Sequence, residues 1–70
     1  MIYDLKIGDV ITSQNHYFEV YNFDLNIFCE RIYPKGDKGY QFCYNDFKSG
    51  YARKCTDKEV NQLYKLIVFK

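Results

Sequence analysis

VITSQNHYFEVYNFDLNIFCERIYP, residues 10–34, decides the fold. Three runs of β-branched and aromatic residues are separated by short polar breaks. Val10-Ile11-Thr12 reads as a strand, and Ser13-Gln14-Asn15 as a turn. His16 to Phe23 returns as a second strand, with Phe18 and Val20 on one face and Tyr17, Glu19 and Tyr21 on the other. Asp24 to Asn26 is the next break. Ile27 to Tyr33 is a third strand, in which Phe28, Glu30 and Ile32 oppose Ile27, Cys29 and Arg31. Pro34 ends it, because proline cannot donate to a ladder.

Upstream, Leu5 and Ile7 suggest an extended lead-in broken at Gly8-Asp9, where glycine supplies unusual backbone angles and aspartate bonds its own backbone. Downstream, Lys35-Gly36-Asp37-Lys38-Gly39 is predicted to be a hairpin loop, its glycines available for positive φ. Tyr40 to Tyr44 is a fourth strand, Asn45 to Gly50 a turn, and Tyr51 to Cys55 a short fifth strand. The period then changes. Thr56-Asp57-Lys58-Glu59 fits a capping box, and Val60, Leu63, Tyr64 and Ile67 follow at helical spacing. A helix is expected from Asp57 to about Leu66, with none before it. The tail Ile67-Val68-Phe69 could leave it as a last strand.

The fold class expected is therefore α+β, mainly β. One domain over residues 1–70 would form a small antiparallel barrel or curved sheet of four to five strands, with one C-terminal helix. The expected core is Phe18, Phe28, Phe42 and Phe23, with Leu5, Ile7, Val10, Val20, Ile32, Val60, Leu63 and Ile67. LKIGDVI (residues 5–11), followed by YFEV (residues 17–20), resembles the opening of small barrels of the Src-homology-3 type, which often hold Gly-Asp there. The resemblance spans under a third of the chain. It implies a barrel fold, and such barrels bind peptides, nucleic acids or folded proteins alike.

Composition narrows the function. The chain is 47% hydrophobic and 20% aromatic, with no tryptophan, which argues against disorder. The run Leu66-Ile67-Val68-Phe69 is far short of the ~20 residues of a membrane span. The N-terminal residues carry Asp4 and no basic-then-apolar pattern, so no signal peptide is expected. Three cysteines, Cys29, Cys43 and Cys55, are an odd number, which favours free thiols in a cytoplasmic protein. Zinc sites usually bring ligands in close pairs, and here His16, Cys29, Cys43 and Cys55 are all widely spaced, so neither metal nor other cofactor is expected. His16 is a lone histidine at a turn. Without a companion group of shifted acidity it does not suggest catalysis, and the chain reads as a non-enzyme.

Charge is unevenly placed. Residues 1–30 hold one lysine against five acids, whereas residues 31–54 hold six basic residues against two acids. Fourteen Phe and Tyr exceed what one small core encloses, and the surplus tyrosines flank the basic residues. Tyr33, Lys35, Lys38, Tyr40, Tyr44, Lys48, Tyr51, Arg53 and Lys54 are the candidate partner-binding residues. Two readings follow. Exposed Tyr with Arg is the composition of protein-interface hot spots. Tyrosine stacked on bases with Lys and Arg on phosphates is how single strands are held. A net charge of +1 and a pI near 7.7 weigh against nucleic acid, whose binding domains usually have a pI above about 9. The favoured expectation is a protein that occludes or modulates a protein partner, in the manner of a phage-type inhibitor of a host enzyme. The alternative is a nucleic-acid-binding small barrel, and homodimerisation is a third way to enlarge a small core.

Overall fold

A computed structural model describes residues 5–68. Strands β1 (Val10–Ser13), β2 (His16–Phe23), β3 (Ile27–Tyr33) and β4 (Lys35–Phe42) precede a one-turn helix, α1 (Tyr44–Lys48). Strand β5 (Arg53–Lys54) and helix α2 (Asp57–Val68) complete the chain. The strands form one antiparallel sheet in the order β4-β3-β2-β1-β5. The fold class expected from the sequence is thus present as the curved sheet. The sheet does not close into a barrel, because β4 and β5 remain its two edges.

The β1–β2 hairpin turns on Gln14 and Asn15, which have φ of 53° and 64°. Positive φ at both central residues is the hairpin turn whose twist matches its flanking strands. Ser13 therefore faces His16 across the ladder, and Ile11 faces Phe18.

The segment after Pro34 differs from expectation. Lys35 to Gly39 is not a loop but the first half of β4. Pro34 follows a cis bond, the geometry of a tight turn with proline at its third position, so two residues reverse the chain and Ile32 pairs with Lys35. The glycines serve the strand itself. The register slips between Ile32 and Glu30, and again between Glu30 and Cys29, each time leaving an extra residue on β4. Gly39 has φ of 96°, the positive value a bulge glycine supplies.

The expected turn at Asn45–Gly50 is also corrected, as is Tyr44, which leaves the strand for α1. The Asp46 carboxylate accepts the Cys43 backbone N–H at 2.9 Å, and Gly50 at φ 86° ends the turn as helix-terminating glycines do. The fifth strand is shortened to Arg53–Lys54, paired with Thr12 and Ile11. In α2 the capping box is present: the Thr56 N–H donates to Glu59 Oε1 at 2.8 Å, and the Glu59 N–H donates to Thr56 Oγ1 at 3.2 Å. The helix runs on through Ile67 and Val68 rather than yielding to a strand there, and Phe69 lies outside the described residues.

Strand alternation splits the apolar residues between two faces. Ile11, Phe18, Val20, Ile27, Cys29 and Phe42 join Leu5 and Ala52 in one cluster, edged by Phe23, Tyr40, Tyr44 and Phe47. On the other face Val10, Cys55 and Leu63 are buried, with Tyr17, Ile32, Tyr33, Val60 and Ile67 around them. Two expected core residues sit elsewhere. Ile7 is 66% exposed, because the turn closed by Asp9 onto Lys6 directs it outward. Phe28 is only half-buried, being on the opposite face from Ile27 and Cys29. Ile11, Ile27, Cys29, Ala52 and Cys55 are the core residues the sequence reading left out.

Candidate functional site

Among the described residues the first face of the sheet is covered only in part. The segment from α1 to Ala52 lies over one side, tied down by the Ser13 Oγ donating to the Tyr51 carbonyl at 2.7 Å and the Ala52 N–H donating to the Asp46 carbonyl at 3.1 Å. Beyond it a groove of about 350 Å³ stays open. Phe18, Tyr40 and Phe42 form its aromatic floor: Phe18 meets Phe42 edge-on at 5.0 Å between centroids and Tyr40 at 5.2 Å. His16 stands at the mouth, its ring 6.4 Å from that of Phe18. Tyr51, half exposed, and Asp46 line the same groove. Arg31 completes it, with its guanidinium carbon 5.5 Å from the centre of the Tyr40 ring.

The nine residues singled out in the sequence do not form one patch. Tyr40 and Tyr51 both line the groove. Tyr44 packs half-buried against the first core cluster, and Lys48 is exposed at the end of α1. Tyr33 turns to the other face, beneath α2, with its ring 6.4 Å from that of Tyr17. Lys35 is on that face too, beside Ile32 and Ile67. Lys38 is exposed and rests its ammonium 5.5 Å from the Tyr21 ring centre. The hairpin and the Arg53–Lys54 segment occupy opposite edges of the sheet, so their charges do not add.

The two basic residues of β5 already have partners. Arg53 donates both terminal nitrogens to Glu59, at 2.8 and 2.7 Å. This fork, with the Thr56 amide, holds the Glu59 carboxyl down at about 2, and the same hydrogen bonds push Arg53 up. Lys54 Nζ is 3.3 Å from Asp9 Oδ2.

A second depression of about 280 Å³ lies beside α2, with Glu19, Glu30, Lys35 and Tyr64 among its walls. Glu19 faces Glu30 across β2–β3, and Glu30 faces Lys38 across β3–β4, so its charges are mixed. Burial with the nearby Glu19 charge pushes the Tyr64 hydroxyl up.

Burial pushes the Cys29 thiol up to about 12 and raises that of Cys55, whereas Cys43 is exposed. Among the described residues no group of three or more His, Cys, Asp or Glu side chains is gathered that could hold a metal ion. No described helix is long and apolar enough to cross a membrane.

Arg31 and His16 were not among the predicted binding residues. The signal for Arg31 was present: it shares the strand face of Ile27 and Cys29, a cation on an otherwise apolar face. For His16 the sequence offered only its place after a turn. No family model, no curated protein and no solved structure matches this chain.

Proposed function

We propose that this is a non-enzymatic binding domain whose partner is a protein, and that it acts by occluding the partner surface it covers. The observation that carries this reading is Tyr51, half exposed, on the rim of a groove floored by three aromatic rings and containing an arginine. Tyrosine and arginine around a pocket that excludes water are what dominates binding energy at protein interfaces. The groove is also at the lower limit of the volumes that seat side chains or small ligands.

The nucleic-acid alternative draws less support. Stacking of bases requires aromatic rings and phosphate-binding cations on one track. Here Lys35 lies on the face away from the groove, and Arg53 and Lys54 are engaged with carboxylates. An inhibitor of a host enzyme is one form such occlusion could take, and it is the form we favour for a domain of this size.

The test is capture from lysate of the source cells on immobilised wild type and on Tyr51→Ala, each with and without nuclease. The expected result is a protein retained through nuclease treatment by the wild type and lost with Tyr51→Ala, at a cost of about 2 kcal/mol or more. Retention only while nucleic acid survives, weakened by Lys35→Glu with Lys38→Glu and unaffected by Tyr51→Ala, would replace this reading with the nucleic-acid one.

A further inference from the structure

Arg31 is held in an unusual way. Its guanidinium lies over Tyr40 on one side. It also occupies the space next to Gly36, so closely that a Cβ there would stand 2.5 Å from Nε and 2.8 Å from Nη2. The β4 bulge at this point therefore has a use. A glycine without positive φ is needed for close approach rather than for backbone freedom. The Nε of Arg31 is buried and has no hydrogen-bond partner, and among the described residues no carboxylate pairs with the guanidinium.

A half-buried guanidinium without a counter-charge is costly. Arg53 shows the contrast, since its fork is filled by Glu59. Asp46 shares the groove, but its carboxylate serves the Cys43 amide. Among the described residues Arg31 is thus a cation with no carboxylate at ion-pair distance, set in an aromatic groove and bordering on its far side the depression that holds Glu19 and Glu30. With Nε buried, its two terminal nitrogens remain to meet a carboxylate in two parallel hydrogen bonds, which a lysine cannot do.

We propose that Arg31 is the receptor for an acidic side chain of the partner protein, presented next to an aromatic residue that lies on the Phe18–Tyr40–Phe42 floor against Tyr51. This rests on the groove being the binding site. Gly36 is the positioning residue: it keeps the guanidinium flat and turned to the groove without touching the ligand.

The probes are two dipeptides, N-acetyl-Asp-Phe-amide and its neutral isostere N-acetyl-Asn-Phe-amide, titrated into isotopically labelled full-length protein and followed by amide chemical shifts. The Asp peptide is expected to shift Phe18, Arg31 and Tyr40 saturably, and the Asn peptide to bind about tenfold more weakly or worse, the value of a charge-assisted hydrogen bond. Arg31→Gln should erase that preference. Gly36→Ala should erase it as well while Arg31 is still present, because the new methyl displaces the guanidinium. A dispersed amide spectrum shows that each variant is folded, and if Gly36→Ala is not, Arg31→Gln and Arg31→Lys carry the test. Equal binding of the two peptides in the groove would overturn the role of Arg31 and leave the groove as the binding site. No groove shift with either peptide would overturn both. A short oligothymidylate shifting Arg31 more tightly than the Asp peptide would also overturn the inference, making the acceptor a phosphate.

Discussion

Leu63→Ala tests how the two layers hold together. A helix of twelve residues is marginal alone in water, so α2 exists because it packs. Leu63 is its one buried side chain among the described residues, 3% exposed, set against Val10 and Cys55. Val60 and Ile67 are only half-buried beside it. Truncating a buried leucine costs about 2–5 kcal/mol, less where the site can collapse. Here a shallow depression of about 150 Å³ between Tyr17, Gln62 and Leu66 borders the position, so neighbours can relax inward. The expected loss is about 2–3 kcal/mol, against a net stability of about 3–5 kcal/mol for a domain of this length. With a urea slope of ~1 kcal/mol per M, the midpoint seen by far-ultraviolet circular dichroism should fall by about 2–3 M. Leu66→Ala is the control: Leu66 is 54% exposed and should move stability by no more than about 0.5 kcal/mol. The reasoning fails if Leu66→Ala costs as much as Leu63→Ala, since the helix would then present a different face to the sheet. It fails equally if Leu63→Ala leaves the midpoint unmoved.

In the native protein an alkylating reagent should label Cys43 alone, with Cys29 and Cys55 reacting only on unfolding; peptide mapping by mass spectrometry reads this directly, and native labelling of Cys29 would contradict its burial. The Glu59 carboxyl is depressed to about 2, below its unfolded value of about 4.3. Its stabilisation is therefore complete above about pH 5 and fades as the pH falls toward 2, so Glu59→Gln should flatten the urea midpoint against pH over that window while the wild type declines. Thr56→Ala removes the reciprocal cap and should cost about 1 kcal/mol in the same assay at neutral pH. Tyr40→Ala should lower the melting temperature, because the ring packs on Phe18 and carries Arg31, whereas Tyr51→Ala should leave it within a degree or two of wild type, as expected of a half-exposed side chain.

What the sequence made legible were features fixed by local chemistry. Strands β2 and β3 are bounded by turn residues and alternate through Phe18 and Val20 and through Ile27, Cys29 and Arg31, apart from two register shifts in their ladder, and the Thr56–Glu59 cap starts α2 where hydrogen bonding requires it. What stayed hidden depended on pairs distant in sequence. Nothing local distinguishes the glycines of a hairpin loop from those of a bulged strand: Gly36 and Gly39 fit both until β3 supplies the register. Cys29 and Ile27 are buried because Phe42 and Val20 lie next to them across the sheet. Ala52 is buried because Ser13 anchors the preceding carbonyl. The half-buried Phe28 shows the limit of ranking core residues by size, since strand phase decided its face.

The nine candidate residues named from the sequence are scattered by the fold for a related reason. Counting charge along residues 31–54 assumed that neighbours in the chain are neighbours on the surface, but an antiparallel sheet sends alternate side chains to opposite faces and places β4 and β5 at opposite edges. The basic residues dispersed: Arg53 went to Glu59, Lys54 to Asp9, and Lys35 to the helix side. Two tyrosines from the same count, Tyr40 and Tyr51, converged instead. Lone polar residues on apolar strand faces stand out for another reason: a fold tolerates such a residue only with a partner or a purpose. Ser13 found its partner in the Tyr51 carbonyl. Arg31, in the same first-face layer, found a ring to lie on and a glycine to lie against, but no acceptor for its buried Nε. The difference between those two residues separates the anchored part of this face from the part where the proposed partner would sit.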